Sequence, residues 1–310
     1  MDIKQLRTLV TIAQTRSVTR ASVLLNIVQP AVSRHLRLLE EDLGITLFDR
    51  SRNGMELTEA GKVLLEYARR ALNEIDRARA EICQSKGSVG GIVTIGLLPS
   101  TCDLLASPLV TAVTRQYPGI HLRISIGYTG HLQRRLEAGE VDAALLYDLN
   151  STPAIQVKPL LEEGLWVVGQ KDSKLSPDAP ISFTDLDTLP LILPSAPHGL
   201  RGLIEHEAAL LGVQLNIIAE TNSMSVQKIL VVGGHGFTIL PSIAVLDDIA
   251  RGLVVAAPLT EPTLMRKIVI ALPANRQTST PTTCAVSLLL DCMRDAIQRG
   301  DWGSARWVGQ

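Results

Sequence analysis

The chain has 310 residues, 46% of them hydrophobic, and a net charge of −1 at neutral pH. That length accommodates two or three domains with separate cores, and that apolar content excludes a disordered chain. The charge excludes a uniformly basic coat for nucleic acid. The absence of any run near the roughly 20 apolar residues that span a bilayer excludes a membrane-embedded protein.

The start, "MDIKQLRTLV", lacks the basic-then-apolar layout of a secretory signal, so a soluble, cytoplasmic protein with no membrane partner is expected. Residues 1–62 read as a small helical domain. Ile3, Leu6, Leu9, Val10 and Ala13 have the spacing of a first helix. A second short helix follows, with Thr19 as its N-cap and Ala21, Val23, Leu24 and Leu25 as apolar contacts. "NIVQPAVSRHLRLLEEDLG" (26–44) predicts a third, with Ala31, Val32, Leu36, Leu39 and Leu43 buried and Gly44 as its stop. "ITLFDRSRNGMELTEAG" then gives two extended pieces around the Asn-Gly signal of a tight hairpin.

A long helix is expected over 58–87, opening at Thr58. Leu64, Ala68, Ala71, Ile75, Ala78 and Ile82 follow at alternating spacings of four and three, the seam of a coiled coil between two copies of the chain. The competing reading is one helix packed on its own domain. "SKGSVGG" (85–91) is by composition a flexible joint. Beyond it, eight strand-like runs alternate with helical stretches near 101–116, 130–139, 199–212, 224–233, 241–250 and 282–299, which predicts parallel α/β sheets in two lobes. The tail, 301–310, has no period and is left unassigned.

Three helices and a basic hairpin predict a winged helix-turn-helix with the third helix in the major groove of DNA. Residues 1–62 hold nine Lys and Arg against seven Asp and Glu, so the placement of the cations matters more than their excess. Gln29 suits adenine, Arg34 suits guanine, Ser33 is an adaptable donor and acceptor, and Pro30 can touch a thymine methyl. Arg37, Arg50 and Arg52 suit phosphates or a neighbouring minor groove, and Thr19 and Arg20 of the second helix complete the candidate DNA-binding set. Any one of these alone reads better as a solvated surface residue; the shared face carries the functional reading.

At this point "SVTRASVLLNIVQPAVSRHLRLLEEDLGITLFDRSRNGMELTEAG" resembles the N-terminal signature of the LysR-type transcriptional regulators, in its "QPAVSR", "LEEDLG", "LFDR" and "LTEAG" elements. The resemblance implies a linker helix (58–87) and a periplasmic-binding-protein-like effector domain of two α/β lobes. Lobe I would comprise 88–162 and 268–300, and lobe II 163–267. It further implies a homo-oligomer, a dimer of dimers, acting on promoter DNA with RNA polymerase as a further partner. One departure stands out: the family usually has Ser before "QPA" as the cap of the recognition helix, where this chain has Val28.

In the α/β region no GxSxG, HExxH or P-loop appears, so neither an enzyme nor a cofactor is expected. Small polar residues instead sit at strand-to-helix junctions: Ser100 and Thr101, Thr129, Ser195 with His198 and Arg201, and Asn222, with Met224 and Phe237 as apolar walls. Ordinary capping explains any single one. Together, beyond the carboxyl ends of strands and at helix N-termini, they suit a small anionic effector. Cys83, Cys102, Cys284 and Cys292 lack metal-ligand spacing and read as reduced thiols, with Cys102 the candidate for redox sensing. The rival classes are a solute-binding protein or α/β enzyme with a helical assembly domain, and a nucleoid-style binder that answers to no ligand.

Overall fold

The computed structural model describes residues 1–51, 54–82 and 89–309. Arg52, Cys83 and most of the "SKGSVGG" joint lie outside the described residues, as do the side chains of Arg50 and Ile82.

Helix α1 (Ile3–Thr15) opens on a capping box: Asp2 accepts from the Gln5 N–H at 2.8 Å while the Gln5 side chain accepts from the Asp2 N–H at 2.7 Å. The chain leaves α1 through left-handed Arg16 and enters α2 (Val18–Leu25) at Ser17, whose hydroxyl accepts from the Arg20 N–H. Ser17 rather than Thr19 is therefore the cap; Thr19 is the second residue of the helix, exposed. Helix α3 (Gln29–Leu43) stops at Gly44, φ 66°. Leu6, Leu9, Ile12, Ala21, Val32, Leu36 and Leu39 form the domain core. Four residues expected in it are exposed, Ile3, Val23, Leu24 and Leu43, because each stands at a helix end or on the outer side of α2.

Strands β1 (Phe48–Ser51) and β2 (Gly54–Leu57) pair antiparallel as the wing. Helix α4 (Glu59–Ile82) follows, with the Thr58 hydroxyl accepting from the Gly61 N–H at 3.0 Å.

The α/β region begins with β3 (Gly90–Leu97), α5 (Pro99–Gln116), β4 (Gly119–Ile126), α6 (Thr129–Glu137) and β5 (Ala143–Tyr147). The 16-residue β6 (Ile155–Gln170) comes next, then β7 (Ile181–Ser182) and β8 (Leu191–Pro194). They are followed by α7 (Gly199–Leu211), β9 (Ile217–Thr221), α8 (Met224–Val232), β10 (Thr238–Pro241) and the short α9 (Leu246–Ala250). The chain closes with β11 (Val254–Thr260), β12 (Met265–Pro273), α10 (Thr280–Gln298) and β13 (Ala305–Trp307).

The sheets are mixed, not parallel throughout. Strands β4, β3 and β5 are parallel, as are β8 and β9, but β12 runs antiparallel to both β5 and β6, and β10 and β11 run antiparallel to β6. Strand β6 passes from one lobe to the other. Leu160 and Leu161 belong to one core cluster, while Leu165 and Val167 belong to the next. The return is made on β12, between Leu264 and Ile268.

The tail is structural. Strand β13 pairs with β6, placing Ala305 opposite Glu163, and Trp302 is fully buried in the first lobe's core. Composition hid this because one indole and a three-residue strand leave no period to detect. Trp302→Ala should cost the effector region about 3–5 kcal/mol, read as a lowered urea midpoint for that region's transition. A loss below about 1 kcal/mol, the scale of an ordinary surface change, would show that the ring is not part of the core.

Candidate DNA-reading face and inter-lobe cleft

Helix α3 divides cleanly. Val32, Leu36 and Leu39 are buried, and half-buried His35 meets the Thr8 hydroxyl of α1 at 3.2 Å. Gln29, Pro30, Ser33, Arg34 and Arg37 are exposed on the outer side. The three acids at the helix end are turned to other uses. Glu40 accepts from the Leu47 N–H at 2.7 Å at the entry to the wing, Asp42 meets the N-terminal ammonium at 2.7 Å, and Glu41 pairs with Arg37 at 3.4 Å. That last pair is exposed on both sides and binds weakly in water. Arg34 has no ion pair among the described residues. Arg20 and Thr19 are exposed in the first turn of α2, with Arg20 donating to the Thr15 carbonyl. The start of α3 is bare of a side-chain cap: Val28 holds the cap position at φ −73° and ψ 147° and offers no acceptor. Pro30, which has no N–H, reduces the number of donors left open there.

On α4 the seam expected between subunits is partly used within the chain, which corrects the reading of it as one open stripe. Ala68 is in the core of the helical domain, and Leu64 packs against it because α4 lies along α1. Ala71 and Ala78 are exposed and Ile75 is half-buried. Val63 and Tyr67, outside the expected seam, are exposed too, so the open apolar stripe runs through 63, 67, 71 and 78. The helix also grips the α/β region: Arg69 pairs with Glu140 at 3.0 Å, Asn73 donates to the Gly139 carbonyl at 2.9 Å, and Glu74 pairs with Arg276 at 2.9 Å.

Between the lobes lies a cleft of about 930 Å³. Ser100, Thr129, Ser195, His198, Arg201, Asn222 and Met224 all line it. Two other candidates do not. Thr101 is fully buried and donates to the Leu98 carbonyl at 3.0 Å, a bond within its own helix start. Phe237 packs over Gly169 and lines a separate cavity, because it lies at the opposite end of β10 from the cleft residues Leu240 and Pro241.

The cleft is pinned across the lobes by Tyr128. Its hydroxyl accepts from the Met224 N–H at 3.0 Å, and its ring meets the His198 ring edge-on, centroids 4.8 Å apart. Burial, and then the charge of Arg266, lower the His198 pKa to about 4. The ring is thus neutral at neutral pH, and since Nδ1 accepts from the Leu200 N–H, Nε2 carries the hydrogen. Arg201 is committed elsewhere, to Glu205 and Glu220 at 2.6 Å each. Two further cations line the cleft: Arg134 of α6, and Arg266 of β12, only 5% exposed, with its guanidinium stacked on the Tyr147 ring. Its Nε has no hydrogen-bond partner among the described residues, and the Asp148 carboxylate stands beyond bonding reach at 3.7 Å. Arg266, Tyr147 and Tyr128 are not among the residues the sequence pattern pointed to. The available signal was the alternation in "MRKI", which turns Arg266 inward between exposed Met265 and Lys267. Cys102 has its thiol pKa raised to about 11, by burial and then Asp103, which makes it a poor redox sensor.

A three-helix domain with a wing, a long helix, and two α/β lobes around a cleft define a DNA-binding regulator with a ligand-binding domain. Residues 3–62 match the model of the bacterial regulatory helix-turn-helix protein, lysR family, and residues 86–298 match that of the LysR substrate binding domain. The chain belongs to the LysR family and is a ligand-responsive, DNA-binding transcriptional regulator. It is 30% identical to the HTH-type transcriptional regulator BbuR of Bordetella bronchiseptica, over 97% of this chain and 93% of that one. It is likewise 30% identical to the nitrogen assimilation regulatory protein nac of Klebsiella aerogenes, over 83% and 82% of the two chains. Among solved structures, a full-length OxyR variant from Pseudomonas aeruginosa superposes with a TM-score of 0.68 at 25% identity, covering 95% of each chain. CbnR complexed with its target DNA shares the fold, with a TM-score of 0.70 at 20% identity over 96% of this chain and all of that one.

Val28→Ser should supply the missing cap and stabilise the helical domain by about 1 kcal/mol, read as a higher melting temperature or tighter DNA binding. An unchanged value of both would mean that another group already satisfies the first turn.

Proposed function

We propose that α3 reads base edges in the major groove through Gln29, Ser33 and Arg34, with Pro30 against a thymine methyl. Thr19, Arg20, Arg37, Arg50 and Arg52 hold phosphates or the adjoining minor groove. The observation that supports this is the outer side of α3, where donors and cations stand open while Glu40 is turned to the wing and Asp42 pairs at the surface with the N-terminal ammonium. Two such helices, one from each subunit of a dimer joined along α4, read two half-sites of an inverted repeat. Two dimers assemble on promoter DNA in the cytoplasm and act on RNA polymerase, without a cofactor.

The effector is a small anion held between the lobes. Buried Arg266, whose Nε has no hydrogen-bond partner among the described residues, supports this, together with the helix N-termini at Ser100, Thr129 and Gly199 around the same cavity. The cavity volume suits one small molecule. Regulation follows if that anion binds one arrangement of the lobes more tightly than another.

Arg34→Ala should cost about 1–3 kcal/mol on the cognate site and relax base choice at one position. Arg52→Ala should weaken cognate and random duplexes alike and flatten the salt dependence. Fluorescence anisotropy with both duplexes over a salt series measures this. The same loss from Arg34→Ala on either duplex would remove α3 as the reading element.

A further inference from the structure

Below the cleft lies a hydrogen-bonded chain that the proposed function does not use. Glu163 of β6 is completely buried, directly opposite Arg266 across the β6–β12 pairing. Its Oε1 accepts from the Tyr147 hydroxyl at 2.6 Å and its Oε2 from the Trp302 indole at 2.9 Å. The Tyr147 oxygen stands 2.8 Å from Ser100 Oγ, and Ser100 lines the cleft.

Counting hydrogens along this chain fixes its direction. An indole only donates, and a tyrosine or serine has one hydroxyl hydrogen. While Glu163 is charged it only accepts, so Tyr147 donates to it and Ser100 donates to Tyr147. Ser100 then shows the cleft nothing but lone pairs. With a proton on Oε1 the sense reverses: Glu163 donates to Tyr147, Tyr147 to Ser100, and the Ser100 hydrogen is released toward the cleft. Other cleft donors are unaffected, since Thr129 Oγ already accepts from the Tyr147 N–H at 3.0 Å and keeps its hydrogen free, as does the Arg266 Nε.

We propose that Glu163, acting through Tyr147 and Ser100, is a specificity-determining residue of the cleft: an anion that spans Ser100 and Arg266 is bound together with one proton, which rests on Glu163. This rests on the reading of the cleft as an anion site. Anions without a donor group of their own are therefore refused while Glu163 is charged.

The surroundings favour the exchange. Burial raises the Glu163 carboxyl above its ordinary range; bonds from Tyr147 and Trp302 and the charge of Arg266 pull it back, and Asp148 pushes it up again. Tyr147, with burial as the first cause, is held far above its ordinary range and stays protonated. Around the cavity the other titratable or charged side chains are Tyr128, His131, Arg134, Asp148, His198, Arg201 and Glu205. On β13, Ala305 is opposite Glu163 and brings no charge of its own. A bound anion raises the Glu163 pKa further, so affinity is greatest at low pH. Above the pKa of the free protein it declines about tenfold per pH unit.

The test uses the full-length protein, with sulfate, acetate, succinate and benzoate as probes. Calorimetric titrations in buffers of differing ionisation enthalpy, from mildly acid to alkaline pH, give both affinity and protons taken up. The wild type should take up one proton per anion in the alkaline range. In Glu163→Gln the uptake and the pH slope should vanish while binding persists. Trp302, a donor only, orients the amide oxygen toward itself and the amide N–H toward Tyr147, fixing the chain in its proton-bound sense. Tyr147→Phe, which breaks the chain and releases the Ser100 hydrogen, should bind independently of pH as well. Anion binding without proton uptake, or a wild-type slope retained in Glu163→Gln, overturns the proposal and leaves the anion site standing. Failure of all four probes to bind the wild type at any pH overturns the anion site itself, and the proposal with it.

Discussion

Strand β6 is the constraint on which the α/β region is built. Its first half pairs with β12, its second with β10 and β11, and β13 lies on its other edge, so one extended segment belongs to both lobes at once. A backbone hydrogen-bonded on both edges through the crossing gives the lobes a fixed common floor. The side chains standing on that floor, Glu163 from β6 and Arg266 from β12, are opposite each other in the strand register, Glu163 fully buried and Arg266 on the cleft lining. Placing two opposite charges there is costly unless both are bonded. Glu163 is fully bonded, whereas the Arg266 Nε is not, and that residual demand is the chemical signature of the cleft.

The helical domain was far more legible in the sequence than the cleft. Its determinants are local: a Gly stop at Gly44, a Thr cap at Thr58, and a single amphipathic period that sets Val32 and Leu36 against Ser33, Arg34 and Arg37. The cap of α2 was misplaced by less than a turn, at Thr19 instead of Ser17, and Val23 and Leu24, expected inside, lie on the outer side of that helix. In the α/β region the strand-to-helix junctions found Ser100, Thr129, Ser195, His198 and Asn222 because helix N-termini reveal themselves through nearby residue types. Arg266, Tyr147 and Glu163 lie inside strands, and what makes them neighbours is cross-strand register between segments about 100 residues apart. No local pattern carries that information. Thr101 failed for the opposite reason: it has the right residue type at the right junction, but its hydroxyl is bonded to its own helix.

Helix α4 shows one surface serving two purposes. Its first turns complete the core of the helical domain through Leu64 and Ala68, and only further along do small side chains at Ala71 and Ala78 stand open. A heptad count alone could not separate these uses, because alanines and leucines satisfy both. Small exposed residues allow close backbone approach, which is the property a helix-to-helix contact needs.

Helix α6 has a geometric consequence. It begins at Thr129, on the wall of the cleft, and the loop that ends it carries Gly139 and Glu140, which Asn73 and Arg69 of α4 hold. An α-helix of nine residues neither stretches nor compresses appreciably, so it behaves as a strut with one foot in the ligand chamber and the other on the rod that bears the DNA-reading head.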